Sequence, residues 1–163
     1  MVKQITRRAA VLMLLASCAR PPIGEEYTGP EVTEIRVYKD RRRMELWHHD
    51  QRLRRFRIGL GQDPVGHKQQ EGDSRTPEGR YVIDRRNPQS AFHLSLGISY
   101  PDAADVARAE SAGVHPGGEI FIHGHGGRRR RGDWTEGCIA VSDRQIEDIY
   151  AMVRNGTTVV IAP

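Results

Sequence analysis

Two residues able to do covalent chemistry flank a short glycine-rich loop: His123 and Cys138. His123 closes the apolar run Glu119-Ile120-Phe121-Ile122, and Cys138 opens the run Ile139-Ala140-Val141. Between them lie Gly124, Gly126, Gly127, Gly132 and Gly137. If the two runs are neighbouring strands, the thiol and the imidazole can approach. A free thiol, with a pKa near about 8.5, is only a few per cent thiolate at neutral pH. An imidazole at hydrogen-bond distance removes that limit by taking the proton. Gly137, beside the cysteine, lets backbone N–H groups face an incoming carbonyl and stabilise its tetrahedral oxyanion. The chemistry of such a pair is acyl transfer. Blander readings of the same residues stay open. A lone cysteine is more often a core residue, and a lone strand-end histidine a satisfied polar group. His123, His125 and Cys138, with His115, also make a zinc set that lacks a second cysteine.

The elements that must position this pair are mostly strands. Val32 to Tyr38 places Ile35 and Val37 on one face, Met44 to Trp47 continues the pattern, and Leu53 to Ile58 repeats it. Alternation of period two with polar turns between predicts an antiparallel sheet. Residues 61–79 are polar and turn-rich. Tyr81 to Ile83, Phe92 to Leu96, Glu119 to His123, Gly137 to Val141 and Thr157 to Ile161 read as further strands. Asp102 to Ala112 reads as a short helix. A second helix is capped by Ser142 with Gln145 three residues on, carries Ile146, Ile149, Tyr150 and Val153 at helical spacing, and stops at Asn155-Gly156. The expected fold class is mainly β, with one packed C-terminal helix and a short additional helix.

Length and composition limit the rest. The chain has 163 residues, 37% hydrophobic and 28% charged, which suits one domain. Its longest apolar run, Ala9 to Ala16, is too short to span a bilayer. That run follows Lys3, Arg7 and Arg8 and precedes Ser17-Cys18, the layout of an export signal. Leu15-Ala16-Ser17-Cys18 resembles the lipobox of bacterial lipoproteins, which implies cleavage before Cys18 and lipidation of its sulfur. Ala19 in the next position then favours the outer membrane. The expected organisation is a leader at 1–17, a Pro/Gly-rich tether at 18–31 and a domain at 32–163. With Cys18 lipidated, Cys138 is a lone thiol in an exported protein.

The net charge of +4 raises the question of nucleic acid. Cleavage removes three cations and no acid, leaving a nearly neutral body. Arginines in the early strands are interleaved with Glu34, Asp40, Glu45 and Asp50, which breaks any single-sign field. Nucleic acid is therefore not an expected partner. Arg128 to Arg131 is the one concentrated basic feature; it reads as a solvated loop, with substrate steering as the alternative.

Three separated motifs resemble the L,D-transpeptidase (YkuD-type) domain. They are Ile120-Phe121-Ile122-His123-Gly124, then Asp133-Trp134-Thr135-Glu136-Gly137-Cys138-Ile139-Ala140-Val141-Ser142, and upstream His67-Lys68 through Gly72-Asp73 to Thr76-Pro77-Glu78-Gly79. The second is similar to a YafK-like branch. The resemblance spans about Glu34 to Pro163 and implies a β-sandwich-like YkuD domain. It implies Cys138 as nucleophile, His123 as base and the Gly124 carbonyl as the group orienting the imidazole. The substrate would be the peptidoglycan stem: Cys138 attacks the carbonyl of the third residue, a terminal D-alanine leaves, and the acyl group passes to an amine or water. Hydrolysis of a stem-linked lipoprotein, or a non-catalytic murein-binding lipoprotein, are the alternatives. Partners are then stem peptides, a murein-linked lipoprotein, and the membrane through Cys18, on the periplasmic face. No cofactor or metal is expected. Three positions depart from the family pattern: Thr135-Glu136 replaces Ser-His before Gly137, and Ala140 replaces an arginine that holds a substrate carboxylate. Lys68, Arg75 or Arg80 are candidates to take over that contact, and Asp133, Trp134 and Thr135 are further substrate-binding candidates. Glu136 would oppose thiolate formation by like-charge repulsion.

Overall fold

The computed structural model describes residues 27–163. The leader, Cys18 and most of the tether lie outside the described residues. Three strands, β1 (Glu34–Tyr38), β2 (Arg43–His48) and β3 (Gln51–Arg57), form an antiparallel meander. Their buried faces are set by the period-two pattern: Ile35 and Val37 on β1, Met44 and Leu46 on β2, and Phe56 on β3. The outer face carries the arginines. There Glu45, itself buried, is ringed by Arg43, Arg52 and Arg55 at 3.2–3.4 Å. β3 is an edge strand, and its exposed arginines discourage pairing with another chain.

The last strand, β8 (Thr158–Ala162), inserts between β1 and β4 (Gly79–Asn87). It runs parallel to β1 and antiparallel to β4. A register shift between Ile83 and Arg85 bends β4, which then pairs with β5 (Ser95–Ile98). β5 pairs antiparallel with β6 (Phe121–His123), and β6 pairs in parallel with the two-residue β7 (Ile139–Ala140). The order is β3-β2-β1-β8-β4-β5-β6-β7, a mainly β domain as expected. Two pairings differ from an all-antiparallel sheet, because strands distant in sequence complete it: β8 joins β1, and the loop after β6 returns β7 beside it in the same direction. The predicted strand at 92–96 begins only at Ser95, after a turn in which the His93 N–H donates to the Ser90 carbonyl.

The sheet curls until its ends meet. The segment following β3 hydrogen-bonds the strand that carries the cysteine: Gly59 exchanges both backbone bonds with Ala140 at 2.8 and 2.9 Å, and the Thr135 N–H donates to the Leu60 carbonyl at 3.1 Å. Gly61 must be glycine here. A Cβ at that position would lie 1.9 Å from the Ser74 carbonyl oxygen and 3.0 Å from the Gly137 nitrogen.

Two helices cover the sheet. α1 (Ala103–Ser111) begins at a capping box of Asp102 and Asp105. α2 (Asp143–Met152) begins at the expected box of Ser142 and Gln145 and buries Ile146, Ile149 and Met152 against β5 and β6. It stops at Met152, three residues before Asn155. The reason is Arg86 on β4, whose guanidinium takes the Tyr150 and Val153 carbonyls and caps the helix end without a glycine. The turn-rich 61–79 segment has little strand structure, yet it is tied down by polar groups. The buried Lys39 ammonium donates to the Thr76 carbonyl at 2.9 Å, to Glu78 Oε1 at 2.8 Å and to the Gly66 carbonyl.

Candidate active site

His123 and Cys138 are brought together by β6 and β7. The ladder pairs Ile122 with Ile139 and His123 with Ala140, so Cys138 falls opposite Phe121. The Phe121 N–H accordingly points at Cys138 Sγ, 3.4 Å away. Phe121 and His123 share one strand face by the two-residue period, which makes the imidazole a diagonal neighbour of the thiol. Sγ also lies 3.5 Å from the Glu119 carbonyl oxygen, which can accept the S–H. Glu119 adopts left-handed backbone at φ 54, an uncommon conformation for a residue other than glycine.

The imidazole is fixed from several sides. It is 97% buried, since 3% of its surface is exposed. Its Nδ1 lies 2.6 Å from the Gly124 carbonyl oxygen. A carbonyl can only accept, so Nδ1 carries the proton and Nε2 is left with a lone pair. Phe92 stacks on the ring with centroids 4.5 Å apart, and Trp134 meets it edge-on at 5.6 Å. Gly124 has no room for a side chain: a Cβ would lie 2.5 Å from Asp143 Oδ1 and 2.6 Å from the Phe92 carbonyl oxygen. Asp143, at the start of α2, holds the turn that follows. Its Oδ1 accepts from the His125 and Gly126 N–H groups at 2.5 and 3.0 Å, and its Oδ2 from Gly127 at 2.7 Å.

Electrostatics favour the neutral form of both groups. Burial is the largest influence on His123 and pushes its pKa down; His125 and Arg130 act in the same direction, against the bond to Gly124. Burial likewise pushes the Cys138 thiol up. The Phe121 N–H and Lys68 oppose this, while Glu119 and Glu136 add to it. Glu136 thus acts in the direction read from its charge. Burial thus favours the thiol at Cys138 and the neutral imidazole at His123.

The other residues singled out from the sequence are placed as follows. Lys68 is buried and donates to Asp73 Oδ1 at 2.7 Å and to the Gln70 carbonyl at 3.0 Å. Asp73 also gathers the N–H groups of Gln69, Gln70 and Arg75, so the Lys…Gly-Asp motif locks a turn. Arg75 pairs with Asp63 at 2.8 Å. Asp133 takes the Arg42 guanidinium and the Leu60 N–H. Arg80 is on β4, 3.6 Å from Glu34. Thr135 is buried, donates to the Cys138 carbonyl at 2.7 Å and accepts the Gly137 N–H at 3.2 Å. The Gly137 amide, expected to face a carbonyl, is therefore engaged by Thr135; Cys138's own N–H has no acceptor among the described residues. Gly137 sits at φ 127, and a Cβ there would lie 2.6 Å from the Arg75 carbonyl oxygen. Among the described residues, no three His, Cys, Asp or Glu side chains are grouped to hold a metal ion.

Sequence reasoning missed Phe92, Asp143 and the Phe121 N–H. Phe92 was hidden inside an apolar stretch read as strand. Asp143 sits beside Ser142, whose capping signal accounts for the helix start without it.

The chain is similar to known proteins in sequence and fold. A family model described as YkuD, the L,D-transpeptidase catalytic domain, matches residues 33–161, and the chain belongs to that family. It is similar to YafK of Escherichia coli (strain K12), with 28% identity over 152 residues, 86% of this chain and 56% of that protein. Among solved structures it is similar to the helical cell shape determining protein Pgp2 from Campylobacter jejuni. That match has a TM-score of 0.66 and 25% identity, covering 85% of this chain and 52% of the other. An L,D-transpeptidase from Mycobacterium smegmatis shares the fold at a TM-score of 0.56 and 14% identity, covering 83% and 60%. The chain spans about half the length of YafK and Pgp2.

Proposed function

We propose that this protein is a cysteine acyl-transfer enzyme acting on peptidoglycan stem peptides. The observation that carries the reading is the locked tautomer of His123, whose Nδ1 is held by Gly124, on a strand whose register puts His123 and Cys138 on neighbouring rungs. Family membership supports the substrate class.

In this reading the stem's third-residue carbonyl is attacked by Cys138 Sγ as the thiol proton passes to His123 Nε2. The oxyanion forms at the open Cys138 N–H, a fixed donor in a partly dry site. The resulting imidazolium gives its proton to the departing amine of the terminal D-alanine. A thioester remains on Cys138. An incoming amine or water loses a proton to His123, attacks the thioester, and releases the new amide or the free acid with the thiol restored. Because both groups rest neutral, proton transfer accompanies attack, with no standing thiolate–imidazolium pair. Lys68, Asp133 and Thr135 serve as a frame for the nucleophile turn, and Trp134 walls the imidazole.

The acceptor decides between a cross-link joining two stems, attachment of a protein lysine, and hydrolysis. Export and anchoring through Cys18, at the periplasmic face of the outer membrane, belong to the same proposal and rest on the Leu15-Ala16-Ser17-Cys18 segment. Mass spectrometry of defined muropeptides tests the reaction, comparing wild type and Cys138→Ala with and without an amine acceptor. Loss of D-alanine, a dimer or a cleaved lipoprotein amide each identifies one outcome. Absence of any Cys138-dependent product would leave a murein-binding protein instead.

A further inference from the structure

A groove of about 360 Å³ opens on the loop that follows His123, lined by His125 and the four arginines Arg128 to Arg131 together with Ser142 and Asp143. Trp134 joins it to the catalytic residues. Its ring meets His123 and His125 edge-on, at 5.6 and 5.9 Å, and Arg130 lies over it at 4.0 Å from the centroid.

The arginines of this groove are unlike most others in the protein. Among the described residues, none of the four has a carboxylate within ion-pair distance. Arg130 is half-buried, and its Nε is shielded from solvent without an acceptor. A shielded donor left unsatisfied is costly, and an arriving anion would remove that cost. The one acid at the groove, Asp143, already accepts three backbone N–H groups, and these hold its pKa below the ordinary carboxylate value although burial works against them. The groove therefore sets four unpaired guanidinium groups against one carboxylate that is already engaged, a net positive charge.

The cations elsewhere around the cysteine are already committed. Lys68 is held by Asp73 and Arg75 by Asp63. The strand that follows the nucleophile offers only Ile139, Ala140 and Val141, all apolar and buried. A carboxylate entering this site meets one free set of donors.

We infer that the Arg128–Arg131 groove is a carboxylate subsite that holds the acidic stem peptide against Cys138. Arginine suits this role because its planar fork can grip both oxygens of a carboxylate at once. The ligand's identity rests on the acyl-transfer reading; the basic groove itself does not.

The test is equilibrium binding to the full chain carrying Cys138→Ala, so that no turnover is needed. The probes are a D-alanine-terminated stem tetrapeptide with free carboxylates and the same peptide fully amidated. The acidic form is expected to bind at least about tenfold more tightly, with a preference that fades as salt is raised. Replacing Arg128, Arg129, Arg130 and Arg131 together by Gln should abolish the preference while the thermal midpoint holds. Equal affinity for the two peptides overturns the subsite, as does a preference that survives the four substitutions. The peptide comparison needs no loop variant, so it decides even if that variant misfolds. Wild-type turnover, measured in parallel, separates the two claims. Selective binding without any Cys138-dependent product would overturn the acyl-transfer reading alone, and turnover without selectivity would overturn the groove alone.

Discussion

His123 is suited to the proposed role of base because its surroundings favour the neutral ring. Gly124 takes the proton-bearing nitrogen, Phe92 covers one face, and burial penalises the charged ring. A pKa held below the ordinary 6.5 has a definite consequence for activity. The neutral, competent form persists through neutral pH and is lost only as pH falls through the lowered pKa. The acid limb of kcat/KM should therefore have its midpoint below 6.5. Phe92→Ala lets water onto the ring, so that midpoint should move upward toward 6.5. The same change frees the orientation of the ring, so kcat/KM on the plateau should drop by up to about tenfold. A pH–rate profile of both proteins checks this; an unmoved limb would mean Phe92 does not shield the base. The neighbouring rungs of His123 and Cys138 were legible in the sequence, since one closes an apolar run and the other opens the next; their roles were implied by the motif resemblance alone. Phe92 was not legible, because stacking across a turn leaves no periodic trace.

Elements position these residues through a few polar anchors. Asp143 is the one that holds the loop after His123. It opens α2, yet its carboxylate serves the loop after β6, gathering three N–H groups. Asn in its place keeps one acceptor oxygen and loses the charge, so Asp143→Asn should cost about 1–3 kcal/mol in urea unfolding at neutral pH. Its lowered pKa means the carboxylate's contribution is fully present above the ordinary value near 3.8. That contribution is lost as pH falls through the folded-state value. Wild type and variant should thus converge in strongly acidic solution. A gap that stays constant with pH would assign the effect to shape and not to charge. The Ser142–Gln145 box was readable because its residues sit at fixed offsets from the helix they start. The end of α2 was misplaced because Arg86 caps it from another strand, a contact that no local pattern reports.

The whole molecule joins its two ends at the site. The chain after β3 bonds the strand carrying Cys138, and the last strand lies between the first and fourth. Alternation in the sequence identified most strands but carried no information on which distant strands would pair in parallel. The closure passes through Gly61, where a Cβ would collide with the Ser74 carbonyl and press on Gly137. Gly61→Ala should lower the thermal midpoint and reduce kcat together, at a cost of about 1–3 kcal/mol in stability. Gly118→Ala is the control, since its Cβ would meet nothing nearer than Pro101 Cδ at 3.9 Å. It should leave both quantities nearly unchanged. A Gly61→Ala protein with full activity and an ordinary melting curve would show that the stitch does not hold the nucleophile turn.

In the proposed reaction Cys138 carries the acyl group. Intact-mass spectrometry of protein quenched in acid during turnover of a stem tetrapeptide tests it most directly. An adduct with the mass of the donor less D-alanine is expected, mapped to Cys138 and cleaved by hydroxylamine. The adduct should be absent from Cys138→Ala and strongly reduced in His123→Ala. Product formation by Cys138→Ala, or turnover by wild type with no thioester at any quench time, would contradict it.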